Sequence, residues 1–386
     1  MRYSKKKYLF ALLLAVLFIS CIKHYTPPAF HNANNDYLVV DGFINAGPGQ
    51  TSTFILSRTR NLDDTNTVDV PELNASMYII SKSSGTAFPL ADPTNTGTYN
   101  SPPLNLDLTD QYQLKINTAN GDRYLSDFVP VKISAPIDSI TWNQQNNVNI
   151  FVNTHDPTNS SIYYKWDYVE TWQHDAQITS FYMVVNGYII LCALATPSEQ
   201  IDSCWSTAGS NSIITGASTS LSQDVISQQP ITAILQNDAM LAIRYSILVR
   251  QIPLTLAAFN YWTLIEKNSQ QLGTFYDPQP SELPGNIHST LNPGEPVIGY
   301  ISAASPQEKR IFINASQLSN WNAPPPLNEM AFCPIEYAPD GDFPVYNFYD
   351  TSYAPITSGG GELTLTKKQC VDCTYQGGTT TRPPFW

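Results

Sequence analysis

The residues best suited to chemistry by type and spacing are the cysteines that follow residue 21: Cys192, Cys204, Cys333, Cys370 and Cys373. Cys370-Val371-Asp372-Cys373 has the spacing of a zinc half-site, in which two thiolates fill two corners of a tetrahedron. Closing such a site takes a second pair or a nearby histidine, and the sequence offers neither, so no metal is expected. The same spacing serves thiol–disulfide exchange inside a βαβ unit, a setting absent here. Structural disulfides are the better reading. Cys192 and Cys204 could close a local loop, and one pair can form within the trio Cys333, Cys370 and Cys373. All five are disulfide candidates; the number is odd, so at least one thiol is free or pairs elsewhere.

Other chemistries find weak footing. The histidines, His24, His31, His155, His174 and His288, fall in no metalloprotease spacing. No nucleophile elbow, phosphate loop or dinucleotide fingerprint is present. Asp167 and Glu170 lie three apart on a run that reads as a strand. They would face opposite sides, which suits a solvated strand better than a carboxylate pair acting on one bond. Asp63, Asp64 and Asp69 lack the glycine and terminal glutamate of a calcium loop. His288, within Gly285-Asn286-Ile287-His288, is the most site-like histidine, with a loop hydrogen bond as its plainer role. No catalytic residue and no cofactor is assigned, and the chain is read as a non-enzyme. A partner or ligand surface is expected around Trp262, Tyr276, Asn286 and His288.

The first twenty-one residues set the location of everything after them. Arg2, Lys5, Lys6 and Lys7 precede an apolar run from Tyr8 to Phe18 that closes on Ile19-Ser20-Cys21. The run falls short of the roughly 20 residues a spanning helix needs. A charged start, a short apolar core and a small-residue end describe an export signal. Phe18-Ile19-Ser20-Cys21 looks like a bacterial lipobox, in which the cysteine is acylated and becomes the new N-terminus. Residues 1–20 are then a signal peptide, Cys21 is the lipid attachment site, and residues 21–36 are a tether. Each buried CH₂ contributes about 0.8 kcal/mol and one chain alone holds marginally. Lipobox processing brings several.

Loss of those four positive charges takes the formal net charge from −12 to −16. Nucleic acid and anionic headgroups need clustered Lys and Arg, so no nucleic-acid partner is expected. β-branched and aromatic runs broken by Pro, Gly and Asn, with only 13% charged residues, read as a β-rich chain.

The elements follow from the periods. Tyr37 to Ile44, Thr51 to Ser57, Met77 to Ser81 and Gln111 to Asn117 read as strands, with Asn120-Gly121 as a hairpin signal. They form a first antiparallel β-sandwich over residues 37–134. Ala135-Pro136-Ile137 leads into a second over residues 135–315. Its strands are Asn147 to Asn153, Ser161 to Trp172, Tyr245 to Gln251, Val297 to Ala303 and Lys309 to Ile313, with Trp166 in the core and Asn186-Gly187 as a turn. The order of strand, Asp156-Pro157 turn and Tyr-rich strand is similar to the start of a fibronectin III-like sandwich. Residues 193–225 and 274–296 read as long loops. At residues 255–272 the period becomes helical, with Ala258, Trp262 and Ile265 on one face, extended by Leu256 and Phe259; Thr255 is the N-cap and Gly273 the C′ residue. Residues 316–386 show no period, and the terminal Phe385-Trp386 should dock on the body. The fold class is mainly β: two antiparallel β-sandwich (immunoglobulin/fibronectin III-like) domains with one inserted helix and an irregular cysteine-containing C-terminal segment.

Several stretches recur together in one order: the cysteine at 21, Leu38-Val39-Val40-Asp41-Gly42, Tyr163-Tyr164-Lys165-Trp166 with Glu170-Thr171-Trp172, and Tyr245 to Gln251. Gly285-Asn286-Ile287-His288, Val297-Ile298-Gly299-Tyr300 and Cys370-Val371-Asp372-Cys373-Thr374 with Gly377-Gly378-Thr379 complete them. This set resembles the Bacteroidota lipoprotein family catalogued as domain of unknown function 4249. The resemblance implies an outer-membrane, lipid-anchored protein exposed at the cell surface. It also implies an accessory or ligand-capture role beside a TonB-dependent transporter, by association rather than chemistry. The alternatives from other classes are an adhesion or structural spacer, and a surface hydrolase or glycan-binding protein.

Overall fold

Tyr112, Leu114 and Ile116 alternate with Gln111, Gln113, Lys115 and Asn117, and the strand Gln111–Asn117 buries the first set and leaves the second half-buried. That pattern repeats through the chain and makes it mainly β. The computed structural model describes residues 36–60, 70–185, 188–192, 201–219, 224–270, 285–323, 333–339, 353–359 and 362–386.

The alternating strands build two hydrophobic cores. In the first, Leu38, Phe54, Leu56, Met77, Ile79, Tyr112, Leu114 and Tyr124 pack together. Leu38–Gly42 and Thr53–Arg58 pair antiparallel, and Ser76–Ser81 pairs with Gln111–Asn117. Five residues separate the paired Asn117 and Arg123, so the Asn120-Gly121 turn is longer than a two-residue hairpin, with Gly121 at φ +94°.

Ile287, Val297, Ile301 and Ala303 also belong to this core. Val297 to Ala303 was expected to close the second sheet, and here the expectation is corrected. Ile287–Ser289 pairs antiparallel with Arg123–Ser126, and Ala303–Ser305 lies parallel to both Ile44–Asn45 and Val129–Ile133. The chain leaves the first core, builds most of the second, and returns. Two glycines permit the crossing. Gly299 has φ +138°, and a Cβ there would stand 2.3 Å from the Val40 carbonyl oxygen; one at Gly285 would stand 1.9 Å from the Gly299 oxygen.

The second core joins two sheets. Val148, Ile150 and Val152, from the sheet of Ile137–Gln144, Val148–Asp156 and Asp224–Ile234, meet Tyr164, Trp166, Ile247 and Val249 of the other. That other sheet orders Ser203–Gly209, Tyr163–Asp175, Arg244–Pro253 and Gln307–Asn314, with Ile214–Ala217 also on Tyr163–Asp175. Trp166 is fully buried, as its sequence position suggested. Residues 203–209 and 214–217, read as part of a long loop, are edge strands instead. Their Ser and Thr content hid them, because an edge strand needs only one apolar face. Tyr182–Val185 and Tyr188–Leu191 pair antiparallel on either side of Asn186-Gly187.

Gln251 ties the second core to the connection from the first. Its side-chain nitrogen donates to Ser134 Oγ at 3.1 Å, Ala135 O at 2.9 Å and Thr154 Oγ1 at 3.1 Å, and its oxygen accepts from Trp166 Nε1 at 3.0 Å. A fully buried amide costs little when its hydrogen bonds are filled.

The helix Leu256–Gln270 starts where expected: Thr255 Oγ1 accepts from the Ala258 amide at 3.2 Å. It buries Ala258 and Tyr261 while Leu256 is 53% exposed, so its inner face is turned from the one the spacing suggested. Gly273 lies outside the described residues. Ala258, Ile252, Leu254 and Ala304 form a small third cluster, flanked by Phe43, Phe259, Trp262 and Tyr300, that draws on segments of both larger bodies.

The C-terminal segment, expected to be irregular, holds a three-stranded antiparallel sheet of Glu336–Pro339, Glu362–Lys367 and Tyr353–Gly359. The cysteines pair Cys204 with Cys373 and Cys333 with Cys370. Cys192 is free, which overturns the Cys192–Cys204 staple. The half-buried terminal Trp386 does dock: its ring meets Trp205 at 6.5 Å and Phe312 at 5.8 Å.

A turn after the strand Val148–Asp156 gives a test of local energetics. Asp156 Oδ1 accepts from the Thr158 amide and hydroxyl at 2.8 and 2.6 Å. Its Oδ2 accepts from the Ser160 amide and hydroxyl at 2.9 and 2.8 Å and from the Ser161 amide at 3.0 Å. Burial alone would raise its pKa, but these donors outweigh burial and hold the carboxyl well below the usual carboxylate range. Asp156→Ala is expected to cost about 2–3 kcal/mol at neutral pH, seen as a lower urea midpoint. A depressed folded pKa gives stability that is present above the unfolded value, about 3.9, and lost as pH falls through the folded one. The gap to wild type should therefore narrow on acidification below about pH 4; a gap that widened there would sink this account.

Candidate functional site

The outward face of the strand Tyr163–Asp175 carries charges where a solvated strand would carry mixed polar residues. Tyr164, Trp166 and Tyr168 point into the core; Lys165, Asp167 and Val169 point the other way. Register then aligns charges across three strands. Asp167 is opposite Arg250, and Arg250 is opposite Glu308. Arg250 Nε donates to Glu308 Oε1 at 2.8 Å and lies 3.7 Å from Asp167 Oδ1. Lys165 Nζ sits 3.9 Å above the Trp262 ring, so the helix covers one end of the row.

This row forms one wall of a cleft of about 790 Å³. Asp41 to Phe43 and Thr51 to Ile55, from the first body, supply residues to the opposite wall, with Trp262 and Tyr300 also lining it. Gly209 to Ile213 line a further part, where the two edge strands leave a gap on Tyr163–Asp175. Ser210 straps that gap: its amide donates to Tyr168 O at 2.9 Å and its hydroxyl accepts from the Tyr168 amide at 3.3 Å.

The cleft holds its charges in a partly dry setting. Burial pushes the Lys165 ammonium pKa down, against the pull of Asp41 and Asp167. Burial pushes the Asp167 carboxyl pKa up, against the pull of Arg250 and Lys165. Both groups are less well stabilised as ions than they would be in water. A bound molecule that brings counter-charge or hydrogen bonds would relieve that.

The residues singled out from the sequence scatter. Trp262 lines the cleft. Asn286 does not: it is 4% exposed, donating to Ile301 O at 2.9 Å and accepting from the Ile301 amide at 2.7 Å, so its amide holds the returning strand. The His288 side chain is exposed on a strand, 3.4 Å from Asp127 Oδ1, and is not among the cleft residues. Cys21 and Tyr276 lie outside the described residues. Asp167 and Glu170 do face opposite sides, but neither is simply solvated. Glu170 accepts from the buried Tyr245 hydroxyl at 2.5 Å, and burial raises its carboxyl pKa. Sequence reading missed Lys165, Asp167, Arg250 and Glu308 as a group. The signal was charge at outward positions of strands whose inner positions are strongly apolar; the cross-strand register that gathers them is not written in any one segment.

Among the described residues no three His, Cys, Asp or Glu side chains are placed to hold a metal ion, and no helix is long and apolar enough to cross a membrane. Fold and cleft together define a mainly β protein with a charged, aromatic-lined cleft between two cores. The chain belongs to the family described as domain of unknown function (DUF4249), whose model matches residues 23–310. That span contains every charged cleft residue named above. No curated protein matches the chain.

Proposed function

We propose that this protein is an outer-membrane lipoprotein, anchored through Cys21 and exposed at the cell surface, that captures ligand for a TonB-dependent transporter. The observation that carries the reading is the cleft. It is of the size that holds small ligands, it has few but well-placed charged groups, and it lies between two bodies, a common position for binding sites. The anchor rests on the charged and apolar leader and on Cys21. The transporter rests on the family resemblance.

The test is affinity purification from detergent-solubilised outer membranes. The tag belongs in the exposed turn at Ser83 to Gly85, far in sequence from the cleft residues and away from the docked C-terminus. A TonB-dependent transporter recovered in comparable molar amount is the expected result, with Cys21→Ser releasing the protein from the membrane fraction. Recovery of the protein alone would overturn the partnership, and a membrane-bound Cys21→Ser variant would overturn the anchor.

A further inference from the structure

The cleft's polar groups are unevenly satisfied, and the unsatisfied ones point to a ligand. Arg250 spends only its Nε on Glu308 and Asp167; among the described residues its two terminal amines make no protein hydrogen bond. Among the described residues Lys165 has no carboxylate within ion-pair distance, and its ammonium sits over the Trp262 ring. These two cations share one wall, two strand positions apart across the pair Tyr163–Asp175 and Arg244–Pro253. Asp41 lines the same cleft from the first body. It is exposed, and among the described residues it has no hydrogen-bond or ion-pair partner, yet its field reaches both Lys165 and Asp167.

A guanidinium with two free parallel donors matches a carboxylate. A nearby ammonium adds charge to that match. An isolated carboxylate across the cleft matches an ammonium. Asn45, Gln50 and Asn211 lie along the lining and can serve amide N–H and C=O groups in between, while Phe43 and Tyr300 offer apolar contact. A neutral sugar would leave both cations without a use. A phosphate carries about two negative charges, and the three carboxylates of the lining, Asp41, Asp167 and Glu308, outnumber its two cations. We infer that the cleft binds short peptides, taking the terminal carboxylate on Arg250 and Lys165 and the terminal ammonium toward Asp41. The cleft volume, about 790 Å³, falls in the range of sites that hold small ligands. This inference rests on the ligand-capture reading for its biological sense, but the binding itself stands apart from any transporter.

The experiment incubates the chain from residue 22 onward with a random tetrapeptide mixture, prepared once as free acids and once as C-terminal amides. Retained peptides are quantified by mass spectrometry after equilibrium dialysis. Free acids should be retained about ten- to a hundredfold better than amides, the range that a charge-assisted hydrogen-bond pair supports. Arg250→Gln and Lys165→Met should each erase most of that preference, and Asp41→Asn should weaken retention of free-amine peptides relative to N-acetylated ones. Equal retention of acids and amides by the wild-type chain would overturn the inference, with no variant needed. So would no retention of either, or preferential retention of an acidic oligosaccharide run beside them. Peptides retained without a co-purifying transporter would leave the ligand class standing and remove the partnership. A transporter without peptide retention would do the reverse.

Discussion

Replacing Cys204 and Cys373 together by alanine is expected to lower the stability of the oxidised protein by about 4 kcal/mol. The bond joins residues 169 apart in sequence, so opening it returns a large freedom to the unfolded chain. Cys333 and Cys370 are 37 apart. With loop cost scaling as the logarithm of length, the longer link should contribute about 1.3 kcal/mol more than the shorter. Local packing adds to the difference. Cys204 and Cys373 are fully buried, and the Trp205 and Thr379 backbones exchange hydrogen bonds at 2.9 and 3.0 Å beside them. A Cβ on Gly378 would stand 2.6 Å from His174 Nε2 and 2.8 Å from the Cys204 Cβ, so the neighbouring chain is pressed closely against the link. Urea midpoints of the two double variants decide the matter. Equal losses, or a loss below about 1 kcal/mol for the longer link, would refute the cross-link account.

Arg58→Met should be comparably damaging for an electrostatic reason. Both partners of the Arg58–Glu72 pair are 9% exposed in their side chains, with Nε 2.6 Å from Oε2. Arg58 also donates to Asp36 O at 3.1 Å. Removal of the guanidinium would leave the Glu72 carboxylate without its counter-charge in a poorly hydrated place. Breaking a buried pair from one side costs about 3–5 kcal/mol. Replacing both partners by apolar residues costs far less, because no buried charge is left over. The double variant Arg58→Met with Glu72→Leu should therefore recover most of the loss. If the double variant were as unstable as the sum of the singles, the penalty would lie in packing and not in the unpaired carboxylate.

Much of the local structure was legible in the sequence. Alternation at Tyr112, Leu114 and Ile116 announces a half-buried strand, and the change of period after Thr255 announces the helix and its cap. Trp166 is legible as core because its neighbours alternate around it. Long-range placement was not. Nothing between Gly285 and Ser305 says that this stretch pairs with strands more than 150 residues earlier; Gly285 and Gly299 mark a close crossing without naming what is crossed. One disulfide fails for the same reason: nearness in sequence favoured Cys192 for Cys204, while the fold brings Cys373 to it; the other, Cys333–Cys370, forms within the expected trio. The cleft is a product of register, since Asp167, Arg250 and Glu308 become neighbours only when three strands align.

The route of the chain between its two cores has a consequence for how such a protein can change over generations. The backbone passes from the first core to the second near Ser134 and Ala135, returns before Ile287, and leaves again after Ser305. A gene segment ending at residue 134 would encode a body lacking the strands Ile287–Ser289 and Ala303–Ser305 that complete it. Neither body can be copied, swapped or lost as a module by recombination at one point. The two walls of the cleft are inherited as a single piece, so a new ligand preference has to arise by substitution within it and not by exchange of one half.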